Sequence, residues 1–220
     1  MRLLTSVGFV TVRERLHDTR QDLQRKMINN PPKSLKGSFS EPDTDFRLIK
    51  AIGEGDSDAF ETLIRRYQKP VVSFVYKYLG DRFGAEDLAQ EVFLRVYRSA
   101  SNFEPRGRAS TWIFKIAYNL SMNEIVRRRR FCLVTDIDRE AGSEPAAPSS
   151  IEGEELKEEL MDSIRRLPEK QRAALLLKVN EGLSYSEIGN VLDVSVASVE
   201  SLLFRARENL RKILKENSEN

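Results

Sequence analysis

The stretch SYSEIGNVLDVS, residues 184–195, decides the fold of the C-terminal part of this 220-residue chain. Ser184 and Glu187 have the spacing of a capping box, which predicts the start of a short helix. After a three-residue turn, Ser195 is predicted to cap a second, longer helix. This order of elements predicts a helix-turn-helix, whose second helix enters the major groove of DNA. A helical hairpin in another kind of bundle is the alternative.

Polar and basic residues on the outward side of this unit are the candidates for contact with duplex DNA. Cationic side chains bind phosphates, whereas hydroxyl and apolar side chains contact base edges in the groove. Glu200 lies at the margin of the same face and is repelled by phosphates, so we expect modest affinity from this unit alone. The candidate residues are Ser184, Tyr185, Ser195, Ala197, Ser198, Ser201, Arg205 and Arg207.

Further towards the N-terminus, apolar residues recur at three- and four-residue steps, which predicts amphipathic helices rather than strands. One apolar stripe begins at Phe60, and Pro70 within it predicts a kink or a helix restart. A later helix over 111–130 is predicted to be capped by Ser110. The sequence therefore predicts an all-α fold.

The segment 105–130 carries seven basic residues and one acidic residue, with aromatic side chains among them. Cations bind phosphates and aromatic rings stack on unpaired bases, so this mixture is typical of a site for single-stranded nucleic acid. Four consecutive arginines end the segment; they complement the helix dipole but repel one another unless anionic groups accept them. For Trp112 and Phe114, the alternative is packing in the core.

Residues 136–159 separate the two helical parts and hold nine acidic and two basic residues, together with glycine, proline and serine. This composition predicts a solvated, flexible segment. We therefore predict two small helical domains, 45–132 and 158–216, joined by an acidic linker over 133–157. The C-terminal domain is predicted to be the helix-turn-helix (winged-helix-like) DNA-binding domain. Residues 1–44 are expected to form a disordered extension, and the alternative is that Met27 is the true initiator.

The composition excludes several classes of function. The single cysteine rules out a disulfide framework and a cysteine-based zinc site, and the single histidine disfavours a Ser-His-Asp triad. No apolar run reaches the roughly 18–20 residues of a membrane-spanning helix. We expect a cytoplasmic protein that is not an enzyme, uses no cofactor or metal ion and does not insert into the membrane.

The chain resembles the extracytoplasmic-function (ECF) sigma factors, the two-domain members of the bacterial sigma-factor superfamily. Four motifs carry the resemblance: DLAQEVF (87–93), STWIFKIAYNL (110–120), LPEKQR (167–172) and EGLSYSEI (181–188). The first resembles the polymerase-clamp motif, and the second, continued to the arginines at 127–130, is similar to the promoter-melting helix. The other two resemble the start of the C-terminal DNA-binding domain. The resemblance covers residues 45–130 and 158–216.

The resemblance implies that the chain binds core RNA polymerase, directs it to promoter DNA and opens the minus-ten element. An anti-sigma factor is a further implied partner. The C-terminal domain is implied to read the minus-thirty-five element. The implied contacts to the polymerase clamp helices are Asp87, Gln90, Glu91, Phe93 and Leu94. The implied minus-ten contacts are Asn102, Phe103, Arg106, Arg108, Ser110, Trp112, Phe114, Lys115, Asn119, Arg127, Arg128, Arg129 and Arg130.

The recognition helix departs from the family pattern at three positions. Glu200 stands where family members often carry a basic residue, and Leu202 and Phe204 also differ. The main alternative function is a helix-turn-helix regulator that binds duplex DNA without polymerase. A nucleic-acid enzyme is disfavoured because no acidic cluster, histidine pair or phosphate-binding loop accompanies the basic residues. A helical interaction module would tolerate the loss of those basic charges.

Overall fold

The computed structural model describes residues 42–104, 107–135 and 160–218. Every regular element within these residues is a helix, which confirms the predicted all-α fold. The extension predicted over 1–44 lies almost wholly outside the described residues, as does most of the linker predicted over 133–157.

Four α-helices and a short 3-10 helix form the N-terminal group. The elements are α1 (Pro42–Gly53), α2 (Ser57–Leu79), α3 (Arg82–Ser99), the 3-10 helix (Ala100–Asn102) and α4 (Ala109–Thr135). Asp56 caps α2 by accepting hydrogen bonds from the backbone amides of Asp58 and Ala59. Gly80 ends α2 in the left-handed conformation, with a φ of 78° that suits glycine.

Three features of these helices differ from the sequence-based expectation. Helix α2 continues through Pro70 without a restart. Helix α4 begins at Ala109, so Ser110 lies inside its first turn rather than at the predicted cap position. The same helix extends to Thr135, past the predicted end at Arg130 and into the range assigned to the linker. Helix ends are the least certain part of a periodicity argument because the apolar pattern carries no sharp stop.

Aromatic side chains from α2 and α4 form the centre of the N-terminal group. Phe74 stacks on Tyr78 with 5.8 Å between ring centroids, and Tyr118 meets Tyr78 edge-on at 6.0 Å. Phe74 and Tyr78 are fully buried. Packed aromatic pairs of this kind add about 0.5–1.5 kcal/mol each beyond the area that they bury, so the aromatic residues fix α4 against α2.

The C-terminal group starts with a helical stretch at residues 160–165 and continues with α5 (Glu169–Val179), α6 (Tyr185–Leu192) and α7 (Val196–Ser218). The capping box of Ser184 and Glu187 is confirmed, with both reciprocal hydrogen bonds present. Ser195 caps α7 as predicted, because its hydroxyl accepts from the Ser198 amide at 3.2 Å. Gly189 lets the turn fold back closely, since a Cβ there would lie 2.8 Å from the carbonyl oxygen of Val194.

The two helical groups pack against each other within one compact unit, residues 40–220. Helix α5 contacts α2, and α6 contacts α4. The helix-turn-helix itself is held by contacts of α5, α6 and α7 with one another. Helix α6 therefore lies beside α4, the helix that carries most of the predicted single-strand contacts.

Candidate nucleic-acid and polymerase interfaces

A cleft of about 700 Å³ opens beside the start of α4. The loop before α4 and the first turns of that helix form one wall, which includes Phe103, Arg108, Trp112 and Lys115. The other wall comes from α6 and the turn that follows it: Gly189, Asn190, Asp193, Val194 and Ser195. The cleft therefore places the predicted single-strand site opposite the helix-turn-helix.

Three aromatic rings contact one another in a row, and two of them, Phe103 and Trp112, line the cleft. Phe103 lies between Phe46 and Trp112, with 5.7 Å and 4.6 Å between the ring centroids. Trp112 is half-buried and lines the cleft. A ring supported by a neighbour and still accessible from the cleft is suited to stack on an unpaired base.

Phe114 lies in the core instead. Its side chain is 0% exposed and packs edge-on against Phe74 with 5.7 Å between the ring centroids. Phe114 follows Trp112 by two residues, about 200° around a helix, so the two rings face opposite sides of α4. The expected minus-ten contact of Phe114 is therefore corrected to a core position.

The other predicted minus-ten residues differ in their exposure. Asn102, Arg108 and Asn119 are exposed, and Lys115 is half-buried. Ser110 is only 6% exposed because it lies in the buried first turn of α4, so its predicted contact with DNA is also corrected. Arg106 lies outside the described residues.

Acidic residues neutralise the first half of the arginine run. Arg127 and Arg128 each donate to Glu124 at 2.7 Å, and Arg128 also donates to Asp81 at 2.6 Å. The hydrogen bond from Arg127 is the main reason that the pKa of Glu124 is lowered. Burial alone raises the pKa of Asp81, but hydrogen bonds from a backbone amide and from Arg128 outweigh it and lower the value. These carboxylates relieve the repulsion that the sequence predicted.

The second half of the arginine run, Arg129 and Arg130, differs from the first half in its ion-pair partners. Arg129 pairs with Glu169, the first residue of α5. Arg130 is exposed, and no residue in the described ranges pairs with it.

A second residue of α5 also contacts the N-terminal group. Arg172 of α5 donates to the backbone carbonyl of Tyr78 at 2.6 Å and lies over the Tyr78 ring, 5.4 Å from its centroid. Helix α5 is therefore joined to both α4 and α2.

Two further ion pairs cross the cleft. Lys115 donates to Asp193 at 2.5 Å, and Arg108 lies 3.3 Å from Glu187. The residues of the first pair are 78 positions apart in the chain. Sequence reasoning missed these acidic partners because it reads neighbours along a helix, and no local signal marks a pairing across such a distance.

The predicted polymerase-binding residues divide into two sets on α3. Asp87 is exposed, and Glu91 is half-buried and pairs with Arg95 on its own helix. Gln90, Phe93 and Leu94 are buried, with exposed fractions of 7%, 0% and 6%. Helix α3 packs against both α2 and α4, so its buried face is wider than the apolar stripe in the sequence. Direct contact with polymerase is therefore corrected to a core role for these three residues.

The predicted duplex-binding residues lie mainly on an open surface. Ser184, Ser195, Ala197, Ser198, Ser201, Arg205 and Arg207 are exposed, while Tyr185 is half-buried with Lys178 5.3 Å from its ring centroid. Glu200 is exposed on the same helix. Phe204, which was not among the predicted contacts, is 65% exposed on the same helix.

Two buried polar sites lie outside the cleft. Asp45 of α1 is 4% exposed, accepts a hydrogen bond from the Tyr67 hydroxyl at 2.6 Å and pairs with Arg66. Burial raises the pKa of Tyr67 to about 12. Glu181, in the connection between α5 and α6, is 6% exposed, and burial raises its pKa to about 7.

The described residues contain no group of three or more histidine, cysteine, aspartate or glutamate side chains arranged to hold a metal ion. None of the described helices combines the length and the apolar character needed to cross a bilayer.

The chain matches two conserved regions and several relatives. It matches sigma-70 region 2 over residues 63–131 and sigma-70 region 4 over residues 157–210. The RNA polymerase sigma-H factor of Pseudomonas aeruginosa is 34% identical over 180 residues, which cover 77% of this chain and 93% of that protein. The ECF sigma-E factor of Escherichia coli is 36% identical over 182 residues, with coverage of 77% and 94%. The ECF sigma factor SigW of Bacillus subtilis is 32% identical over 183 residues, with coverage of 77% and 96%.

Two solved structures are similar in fold. CnrH, solved with the cytosolic domain of CnrY, aligns with a TM-score of 0.61 at 23% identity, covering 79% of this chain and 99% of that one. The sigma factor RpoE of Bartonella quintana, solved with the anti-sigma factor NepR, aligns with a TM-score of 0.61 at 22% identity, covering 71% and 96%. The two matched regions and the relatives above 30% identity show that this chain belongs to the ECF RNA polymerase sigma factors.

Proposed function

We propose that this sigma factor binds core RNA polymerase, directs it to specific promoters and opens the minus-ten element. The observation that carries the proposal is the cleft at the start of α4, where the rings of Phe103 and Trp112 lie beside Arg108 and Lys115. Rings and cations together match the bases and phosphates of a single strand. In this proposal the chain itself makes and breaks no covalent bond, and transcript synthesis belongs to the core enzyme.

Promoter opening is a balance between unstacking and capture. Flipping a base out of the duplex costs a few kcal/mol. Stacking on an aromatic ring returns about 1–3 kcal/mol per base, and phosphate contacts from Arg108 and Lys115 add to it. The cleft therefore shifts the equilibrium towards the open strand. Asn102 and Asn119 are exposed, and we propose that they supply polar groups for base edges.

Helices α7 and α3 are proposed to supply the contacts to the minus-thirty-five element and to polymerase, respectively. The outward face of α7 is proposed to read the minus-thirty-five element, with Ser201 and Arg205 towards the bases and Arg207 towards phosphates. The exposed carboxylates of Asp87 and Glu91 on α3 are proposed to contact the clamp helices of polymerase. We place the protein in the cytoplasm, where polymerase and promoter DNA are.

An anti-sigma factor is the proposed regulatory partner. The structurally similar CnrH and RpoE were solved in complexes, the latter with an anti-sigma factor. A helix-turn-helix regulator that acts without polymerase is the alternative function, and the experiments below distinguish the two.

Trp112→Ala tests the opening step. We expect a normal amount of holoenzyme on promoter DNA but a roughly 5- to 150-fold loss of permanganate-reactive thymines, which corresponds to about 1–3 kcal/mol of lost stacking. Tyr97→Ala is the matched control, because Tyr97 packs on Phe60 with 5.0 Å between ring centroids outside the cleft. Normal opening by the folded Trp112→Ala variant would refute the role of the cleft.

Asp87→Arg tests the polymerase contact. We expect weaker binding to core enzyme in a fluorescence titration, with an unchanged helical signal, because Asp87 is exposed. Asp58→Arg, an equal charge change at an exposed position of α2, should bind core enzyme normally. If wild-type protein failed to bind core enzyme and instead shifted duplex DNA alone, the alternative function would replace the proposal.

A further inference from the structure

We infer that Phe46 of α1 is a positioning residue for promoter opening: it supports Phe103, which in turn supports the ring of Trp112 in the cleft, without itself contacting DNA. The inference rests on the proposed function, in which Trp112 stacks on an unpaired base. It adds a residue that lies well before the segment to which the minus-ten contacts were assigned, and it gives α1 a task in the opening step.

The first support is the row of ring contacts. Phe46 stacks on Phe103 with 5.7 Å between the ring centroids and 29° between the ring planes, and Phe103 lies 4.6 Å from Trp112. Phe103 and Trp112 line the cleft, whereas Phe46 lies behind them on α1. Packed aromatic rings hold one another in a preferred geometry. The position of Phe46 therefore limits where the other two rings can lie.

The second support is a buried polar network beside Phe46, which fixes α1. Asp45 is 4% exposed, accepts a hydrogen bond from the Tyr67 hydroxyl and pairs with Arg66. Burial raises the pKa of Tyr67 to about 12, and the positive charges of Arg66 and Arg108 act in the opposite direction. Arg108 therefore lies near this network as well as in the cleft. Because a buried charge that loses its partner is costly, the network anchors α1 next to the loop that precedes α4.

The end of α1 provides a second anchor for the same loop. A Cβ at Gly53 would lie 3.0 Å from the backbone atoms of Ala100 and Ser101, which is closer than side chains usually approach. Glycine thus lets the 3-10 helix lie directly on α1. The Phe103 amide donates to the carbonyl oxygen of Ala100 at 3.2 Å. The segment that carries Phe103 is therefore held at two points of α1, Phe46 and Gly53, which are about two helical turns apart.

The third support is a cavity of about 400 Å³ between α1 and the 3-10 helix. Phe46 and Phe103 both line it. A ring that borders empty space has no packing partner on that side. Without the ring of Phe46, Phe103 would have room to turn away from Trp112. The cavity therefore makes the position of Phe103 depend on Phe46.

Phe46→Ala tests the inference. We expect a normal amount of holoenzyme on promoter DNA and a roughly 2- to 12-fold loss of permanganate-reactive thymines, which corresponds to about 0.5–1.5 kcal/mol, the contribution of one aromatic pair. Phe46→Tyr keeps the ring, and the adjoining cavity has room for the hydroxyl, so this variant should open the promoter normally. Tyr97→Ala is the matched control, because it removes a ring that packs on Phe60 outside the row.

A double substitution separates positioning from a general effect on stability. In a Trp112→Ala background, Phe46→Ala should cause less than about a 2-fold further loss of opening, because the ring that it positions is absent; independent effects would multiply instead. If Phe46→Ala folds poorly, Phe46→Leu takes its place in the same cycle, since it removes the ring but keeps an apolar side chain.

The fluorescence of Trp112 reports the position of its ring directly, since the chain contains one tryptophan. We expect stronger quenching by acrylamide in Phe46→Ala than in the wild type or Phe46→Tyr. Quenching and opening equal to those of Tyr97→Ala would overturn the inference, as would a loss of opening that multiplies with that of Trp112→Ala. Normal opening by the folded Trp112→Ala variant would refute the proposed role of the cleft itself.

Discussion

Glu181→Gln is expected to stabilise the protein at alkaline pH. Glu181 is 6% exposed, and burial raises the pKa of its carboxyl from 4.5 to about 7, although the positive charge of Lys77 acts in the opposite direction. The folded state therefore favours the neutral acid. Glutamine has nearly the same shape as the neutral acid and cannot ionise.

The magnitude follows from the two pKa values. Below pH 4.5 the folded and unfolded chains are both protonated at Glu181, so this group has no effect on stability. Between pH 4.5 and about 7 the unfolded chain releases its proton first, and the free energy of unfolding falls as pH rises. Above about pH 7 the loss is complete, at about 3 kcal/mol if each pKa unit corresponds to about 1.4 kcal/mol.

Urea denaturation at pH 5 and at pH 8.5 measures the effect. We expect Glu181→Gln to exceed the free energy of unfolding of the wild type by only about 1 kcal/mol at pH 5, where the unfolded carboxyl is partly ionised, and by about 3 kcal/mol at pH 8.5. Glu200→Gln, at an exposed position, should show no such difference between the two pH values. Equal stability of wild type and Glu181→Gln at pH 8.5 would refute the reasoning.

Three other substitutions have defined outcomes. Tyr67→Phe removes the hydroxyl that donates to the buried carboxylate of Asp45, so the urea midpoint should fall by an amount that corresponds to about 1.5–3 kcal/mol; an unchanged midpoint would show that Asp45 needs no second donor. Gly189→Ala places a methyl group 2.8 Å from the Val194 carbonyl oxygen, and thermal melting should show a loss of about 1–3 kcal/mol; an unchanged melting temperature would contradict the close turn. Glu200→Lys should raise duplex affinity and steepen its salt dependence by about one unit of slope, and a flat response would place Glu200 away from DNA.

Local signals in the sequence were sufficient for the helices of the helix-turn-helix. The pairing of Ser184 with Glu187 and the cap at Ser195 depend on residues three positions apart, so both were readable and both are present. Of the two outcomes predicted at Pro70, a kink or a helix restart, the restart is wrong, because α2 runs from Ser57 to Leu79 as one helix. Within a long helix, packing of the flanking residues on both sides of a proline keeps the helix continuous.

Exposure was less predictable than helix position. Gln90 and Leu94 were expected to contact polymerase, yet both are buried because two neighbouring helices cover α3. Phe114 was expected to contact DNA because it lies in the segment of mixed aromatic and basic residues and in a family motif. Its side chain instead points into the core, because it lies on the opposite side of α4 from Trp112. The carboxylates of Glu187 and Asp193 were unreadable as partners of α4, since only tertiary packing brings them there.

The two oxygens of Glu187 have separate tasks. Oε2 accepts from the amide and the hydroxyl of Ser184 and so holds the N-terminus of α6, while Oε1 faces Arg108. Departure of Arg108 leaves the Oε2 bonds in place, and water replaces the guanidinium at Oε1. The capping bonds of α6 therefore do not depend on Arg108, so loss of this ion pair alone is not expected to unwind the start of the helix.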